Sequence, residues 1–234
     1  MITTLFWDID DTLLDFKRGE RIAIRQTLSH IGIEPTEETV QRYSEINESL
    51  WTRLERGEIT RDKILVGRFE MLFSALGFAG DAPSTQDLYF TNLGEQHDFV
   101  EGAEAVLDAL RGTYRMIAVS NGTTVIQSKR LAASGLDRYF DRIFLSESIG
   151  AEKPSAAFFD ACFAVLPDVR RDEVLIIGDS LTSDMRGGEM AGLQTCWFNP
   201  RGKENNLGVR VDHEIAALGE LLPFLNMLMP DKTR

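Results

Sequence analysis

Two apolar runs that each end in clustered carboxylates set the architecture of this chain. Leu5-Phe6-Trp7-Asp8-Ile9-Asp10-Asp11-Thr12-Leu13 opens it, and Val174-Leu175-Ile176-Ile177-Gly178-Asp179-Ser180-Leu181-Thr182-Ser183-Asp184 repeats the design near its far end. Each run is apolar throughout before it breaks, the pattern of a strand covered on both faces in a parallel sheet. In such a sheet the ligand crevice lies beyond the carboxyl ends of the strands, so Asp8, Asp10, Asp179 and Asp184 are placed to face one cavity. Like charges brought close together are unfavourable unless a cation or a proton compensates. A strand followed by a solvated acidic turn would give Asp-x-Asp as well, since Asp is a good turn residue; the second run favours a shared site. All the candidate ligands are oxygens with no paired Cys or His, so the expected ion is the hard Mg²⁺ rather than Zn²⁺.

Between residues 18 and 97 the pattern is helical. Ile24, Leu28 and Ile31 fall at helical spacing within Arg18 to Ile31, and Val40, Tyr43, Ile46, Leu50 and Leu54 mark a second helix ending near Gly57. Thr60 is the expected N-cap of a third, whose stripe is Leu65, Phe69, Leu72, Phe73 and Leu76, and Ser84-Thr85-Gln86-Asp87 reads as a capping box opening a fourth. The aromatic stripes have the spacing of a buried helix face, which makes them core rather than ligand platforms. Glu55, Arg53, Arg56 and Arg61 surround the Gly57 turn and are candidates for substrate specificity, although charged residues at a loop tip are usually solvated. The expected organisation is therefore α/β: a Rossmann-like parallel sheet core flanked by helices over residues 1–17 and 98–234, with an inserted all-helical cap over 18–97.

The remainder alternates helix and strand. Met116-Ile117-Ala118-Val119-Ser120-Asn121-Gly122 is a buried strand ending in a hydroxyl, an amide and a glycine, which let a backbone approach an anion and offer it N–H donors. Ser-Asn-Gly is also a common turn. Lys153 stands just ahead of an amphipathic helix carrying Phe158, Phe159, Cys162, Phe163 and Leu166, with Pro154 suited to its first turn. A lone Lys there is usually solvated; beside the acid clusters it is a candidate for anion binding. A short helix from Met185 to Leu193, a strand over Gln194 to Phe198, a short strand near Val211 and an amphipathic helix from Leu218 to Leu228 complete the expected elements.

Composition excludes more than it names. At 43% apolar and 26% charged residues the chain is ordinary for a globular protein. A net charge of −12 works against a phosphate-backbone footprint, so a polymeric nucleic acid is not an expected partner. No apolar stretch approaches the ~18 residues that span a bilayer and no leader pattern opens the chain, so no membrane partner and a cytoplasmic location are expected, as a monomer or homodimer. Cys162 and Cys196 lie in apolar stretches and read as reduced core residues. His30, His97 and His213 lack metal-ligand spacing.

In order along the chain, Asp8-x-Asp10-x-Thr12, Ser120, Lys153-Pro154 and Gly178-Asp179-x4-Asp184 resemble the four signature motifs of the haloacid dehalogenase-like hydrolase superfamily, in their phosphatase form. The resemblance spans the whole chain and implies the parallel sheet and helical cap read above. Within the superfamily the chain is most similar to small pyrimidine 5′-nucleotidases, through Trp7 to Leu13 and the stretches Leu50-Trp51 to Gly57-Glu58-Ile59-Thr60 and Arg68-Phe69. It implies a Mg²⁺-dependent phosphate monoester hydrolase acting through an aspartyl-phosphate on (deoxy)pyrimidine nucleoside monophosphates. By resemblance Asp8 is the nucleophile and Asp10 the general acid and then base, oriented by Thr12. Mg²⁺ would be held by Asp8, the Asp10 main-chain carbonyl, Asp179 and Asp184. Ser120 and the Asn121 N–H would bind non-bridging phosphate oxygens, and Lys153 would neutralise charge and position Asp8.

Other readings share parts of this pattern. A phosphatase for a sugar phosphate or phosphoglycolate would keep the phosphoryl chemistry and differ only in the leaving group, and a mutase is a further variant. A 2-haloacid dehalogenase also uses an Asp nucleophile but has no use for Asp10. A phospho-acceptor signalling module would be shorter and uncapped, and a catalytically silent binding protein would have no reason to keep every charged position.

Overall fold

In the computed structural model, which describes residues 1–228, the sheet has six parallel strands in the order β3-β2-β1-β4-β5-β6. These are β1 Thr4–Trp7, β2 Arg115–Ser120, β3 Arg142–Leu145, β4 Val174–Gly178, β5 Gln194–Phe198 and β6 His213–Ile215. The register pairs Trp7 with Ala118 on one side and with Ile177 on the other, so the chain leaves β1, β2 and β4 at a common level. β1 and β4 meet where the strand order reverses direction, the switch point at which such sheets open a crevice.

Strand residues alternate between two cores, as a period of two demands. Leu5, Trp7, Met116, Ala118, Leu175 and Ile177 pack on one face, and Phe6, Ile117, Val119, Val174 and Ile176 on the other. Helices cover both faces, which is why β1 and β4 carry no polar alternation. Both cysteines are buried and unpaired.

A segment of five helices follows β1: α1 Phe16–His30, α2 Glu37–Glu55, α3 Arg61–Leu65, α4 Gly67–Leu76 and α5 Ala82–Gly94. Ile24, Leu28, Val40, Tyr43, Phe69, Leu72, Phe73 and Tyr89 form a core of their own, with the Tyr43, Phe69 and Tyr89 rings 5.5 to 5.7 Å apart. The aromatic stripes are thus packing. Asp15 caps α1, accepting from the Arg18 N–H at 3.0 Å, and Thr36 caps α2, accepting from Thr39 at 3.2 Å.

Several expected boundaries move. The single third helix is two, broken at Val66-Gly67, where a β-branched residue and a glycine combine low helix propensity. Ser84 does not open α5: Asp81 is the N-cap, Pro83 sits in the first turn, and the Ser84 hydroxyl donates back to Asp81. The strand expected near Val211 is β6, a few residues later.

The rest of the chain supplies α6 Ala103–Leu110, α7 Thr124–Ser134, α8 Ser146–Ile149, α9 Ala156–Val165, α10 Arg186–Ala191 and α11 Leu221–Leu228. Ser155, not Pro154, caps α9, so Pro154 lies before the helix rather than in its first turn. A turn of π-helix, Leu181–Met185, precedes α10, and a 3-10 turn, Leu218–Glu220, precedes α11. Among the described residues no helix is long and apolar enough to cross a membrane.

Candidate active site

Asp8 follows the last residue of β1 and is buried. Its two carboxylate oxygens are spoken for separately: Oδ1 accepts from Lys153 Nζ at 2.7 Å and Oδ2 from the Thr12 hydroxyl at 3.0 Å. Thr12 Oγ1 in turn accepts from the Asp179 N–H at 3.1 Å, tying the turn after β1 to the one after β4. Thr12 therefore orients Asp8, not Asp10. Burial, then the Asp184 charge, push the Asp8 carboxyl up from its ordinary value, against the pull of Lys153.

Lys153 is 1% exposed. Its Nζ donates to Asp8 Oδ1 and Asp184 Oδ1, both at 2.7 Å, and to the Val119 carbonyl at 2.9 Å, using all three donors. Burial pulls the ammonium down from the ordinary lysine value; the two carboxylates outweigh it and hold the group above that value. Asp184 Oδ2 accepts from the Ser180 N–H at 3.2 Å. Its carboxylate passes so close to Gly178 that a Cβ there would lie 2.2 Å from Asp184 Oδ2, which is why β4 must end in glycine.

Asp8, Asp179 and Asp184 each place one carboxylate oxygen within 4.8 Å of the others. Burial, then the charges of Asp8, Asp11 and Asp184, push the Asp179 carboxyl well above its ordinary range. An all-oxygen donor set with this much mutual repulsion fits a hard divalent cation such as Mg²⁺. The Asp10 side chain stands outside that group.

Ser120 ends β2 with its hydroxyl oxygen accepting from the Gly122 N–H at 3.0 Å and from Gln127 Nε2 at 2.8 Å. Asn121 clamps Lys153 across the crevice: its Nδ2 donates to the Lys153 carbonyl and its Oδ1 accepts from the Lys153 N–H, both at 2.9 Å. The Asn121 side chain is thus structural, which leaves its N–H for an anion.

Sequence reasoning missed Gln127 and Arg130, two buried polar residues one turn apart on α7. Gln127 Nε2 donates to Asp10 Oδ2 at 2.9 Å, and Arg130 Nη1 donates to Asp10 Oδ1 and, at 2.8 Å, to Gln127 Oε1. Arg130 Nε donates to the Gln96 carbonyl at 2.8 Å, at the exit from the five-helix segment. A Cβ on Gly122 would collide with Gln127 at 2.3 Å, so this glycine serves the network around Asp10. The available signal was a Gln-x-x-Arg pair flanked by Ile126 and Leu131, the apolar residues that turn this face of α7 inward.

Of the four loop candidates, two reach the sheet domain. Arg61 donates to the Asn121 carbonyl at 2.9 Å and the Ser146 hydroxyl at 2.5 Å, pairs with Glu152 at 3.3 Å and lies over Trp51. Glu55 accepts from the Thr182 hydroxyl. Arg53 and Arg56 instead pair with Glu58 at the exposed turn.

Burial, with the Asp184 charge, raises the Glu55 carboxyl from 4.5 to about 7 despite its bond from Thr182. A carboxyl raised on folding stabilises the fold fully below its unfolded value, and that contribution is lost as pH rises from 4.5 through about 7. In chelator-treated protein, Glu55→Gln keeps an acceptor for Thr182 and removes the charge. It is expected to stabilise the fold by about 1–3 kcal/mol at high pH and to match the wild type under acid conditions. Thermal melts across the pH range check this; a difference that does not change with pH would contradict it.

Asp8, Ser120, Lys153 and Asp179 all line one cavity of about 550 Å³, which continues up between α1, α2 and α4. A buried aspartate at the β1 terminus, a Lys clamped between two acids, and three carboxylates converging from the ends of β1 and β4 mark a hydrolase of the haloacid dehalogenase-like class. The model of that family matches residues 2–192, and the chain belongs to it. It is 38% identical over 224 residues to the HAD-hydrolase YfnB of Bacillus subtilis, covering 96% of this chain and 95% of YfnB. It is 35% identical to pyrimidine 5′-nucleotidase PynA of Streptococcus pneumoniae, covering 97% of each chain, and 30% identical to pyrimidine 5′-nucleotidase YjjG of Escherichia coli, covering 93% and 95%. The solved structure of YfnB bound to magnesium superposes with a TM-score of 0.92 over 96% of this chain and 99% of that one.

Proposed function

We propose that the chain is a phosphate monoester hydrolase that acts through an aspartyl-phosphate on Asp8, with (deoxy)pyrimidine nucleoside 5′-monophosphates as substrates. The observation that carries the reading is Lys153, buried and bonded to Asp8 and Asp184 at 2.7 Å, beside Ser120 at the floor of a cavity large enough for a nucleotide. Two relatives named as pyrimidine 5′-nucleotidases support the substrate class.

Asp8 attacks the phosphorus while the ester oxygen departs and takes a proton from Asp10. Water then gives a proton to the Asp10 carboxylate as its oxygen attacks phosphorus, and the bond to Asp8 breaks. Ser120 and the Asn121 N–H hold the equatorial oxygens, and Lys153 offsets their charge. Mg²⁺, held by Asp8, Asp179, Asp184 and the Asp10 carbonyl, would reduce the repulsion between the incoming phosphate and Asp8. The five-helix segment acts as a cap over residues 18–97, with Arg61 and Glu55 fastening it to the loops after β2 and β4. Asp10, fixed by Gln127 and Arg130, argues against a dehalogenase, whose halide leaving group needs no acid.

Phosphate release from a panel of nucleoside monophosphates, sugar phosphates and phosphoglycolate, with and without EDTA, tests the reading. Chelator-sensitive release, highest for pyrimidine nucleotides, is expected; sugar phosphate preference would retain the chemistry and replace the substrate, and no release from any ester would contradict both. Arg130→Met withdraws a group that positions Asp10. It is expected to slow nucleotide hydrolysis by about 10²-fold or more and p-nitrophenyl phosphate, whose leaving group departs without a proton, by less. Equal losses on both esters would remove Arg130 from the chemistry.

A further inference from the structure

The cavity that holds Asp8 is also lined by a polar group buried inside the helical segment. Glu20 of α1, Asn47 of α2 and Arg68 of α4 line it at 5%, 3% and 2% exposure. Asn47 joins the two charges: its Nδ2 donates to Glu20 Oε1 at 2.6 Å, and its Oδ1 accepts from Arg68 Nη1 at 3.0 Å. The Ser44 hydroxyl donates to Glu20 Oε2 at 2.8 Å. Arg68 Nε and Nη2 donate to Gln86 Oε1 at 3.0 and 2.7 Å, with the guanidinium over the Tyr89 ring.

These bonds leave capacity unused. Arginine has five N–H donors, of which Nε, one on Nη1 and one on Nη2 are engaged here. Asn47 keeps an amide N–H, and each Glu20 oxygen keeps a lone pair. The guanidinium and the carboxylate are bridged by an amide, so they forgo the direct contact that best offsets burying two charges. As packing alone this is costly. As part of the wall of a binding cavity it is an acceptor set beside donors, fixed before a ligand arrives.

We propose that Glu20, Asn47 and Arg68 form the subsite that reads the pyrimidine base: Glu20 accepts a base N–H, and Arg68 and Asn47 donate to a neighbouring base carbonyl or ring nitrogen. Phe16 and Phe90 supply apolar wall beside them. The inference rests on the nucleotidase reading and deepens it, moving specificity from the exposed Gly57 turn to the interior of the helical segment. Sugar phosphates and phosphoglycolate have no planar edge with an N–H beside an acceptor, and would leave buried polar groups unpaired.

The test compares kcat/KM for dTMP, for 2-deoxyribose 5-phosphate, which lacks the base, and for the deoxynucleotide bearing 2,4-difluorotoluene, which keeps the shape of thymine without its hydrogen bonds. Wild-type enzyme is expected to favour dTMP over both. Glu20→Gln is expected to cut the ratio of dTMP to 2-deoxyribose 5-phosphate by about tenfold to a hundredfold, mainly through KM. An unchanged ratio in a variant of an enzyme that does favour dTMP overturns the subsite and leaves the nucleotidase reading standing. Should that variant not fold, the isostere decides on wild type alone: turnover within about twofold of dTMP overturns the subsite, and a tenfold deficit supports it. A wild type that does not favour dTMP over 2-deoxyribose 5-phosphate overturns the nucleotidase reading and the subsite together.

Discussion

Asp8→Asn is expected to abolish turnover, by about 10⁴-fold or more, while leaving the fold intact. The substitution keeps the side-chain shape: the amide oxygen can still accept from Lys153, and the amide nitrogen can face Thr12. Burial and the Asp184 charge already disfavour an ionised Asp8, so a neutral group there costs the fold little. Lys153 retains its bonds to Asp184 and the Val119 carbonyl. What is lost is the nucleophile, since a carboxamide cannot form the acyl phosphate linkage. Steady-state phosphate release beside a thermal melt checks both halves. Activity within about tenfold of wild type would be incompatible with Asp8 as nucleophile.

Lys153→Met is expected to harm stability and rate together. A solvated lysine ahead of a helix would be dispensable to the fold, but this one is 1% exposed and is bonded to two carboxylates and a carbonyl. Removing it leaves Asp8 and Asp184 buried with no ammonium between them, a loss of about 3–5 kcal/mol. Turnover should fall by a further 10²–10³-fold, about the size seen when one donor to a developing charge is deleted. Mg²⁺ is expected to restore part of the stability in this variant, because the acids that lost their lysine are the proposed ligands. Denaturant titrations with Mg²⁺ and with EDTA separate the effects; an unchanged midpoint in EDTA would contradict the buried-pair argument.

The main-chain framework of the site was legible because it depends on where strands end. An all-apolar run that stops at Asp8, at Ser120 or at Gly178-Asp179 identifies a parallel strand and its carboxyl terminus at once, and parallel strands bring those termini to one level. The helical segment was legible through its aromatic spacing. Hydrogen-bond direction was not. Nothing in Asp8-x-Asp10-x-Thr12 says whether the threonine serves the first aspartate or the second; the turn geometry after β1 decides for Asp8. Gln127, Arg130, Glu20 and Asn47 escaped notice, and Arg68 entered only through the resemblance, because each is a polar residue on a helix that, read singly, would be given to solvent. Only the packing of α7 behind Asp10, and of α1, α2 and α4 around the cavity, turns them inward. The misplaced start of α5 has a similar origin, since Asp81 and Ser84 are both good capping residues and Pro83 in the first turn favours the earlier one.

The most direct test of the central claim is to quench the enzyme with acid during turnover of a pyrimidine nucleotide carrying a labelled phosphate, and to map the label. The account predicts label on the peptide that contains Asp8, stable to acid and released by hydroxylamine as an acyl phosphate is. Turnover with no label on the protein, or label on a peptide without Asp8, would contradict it.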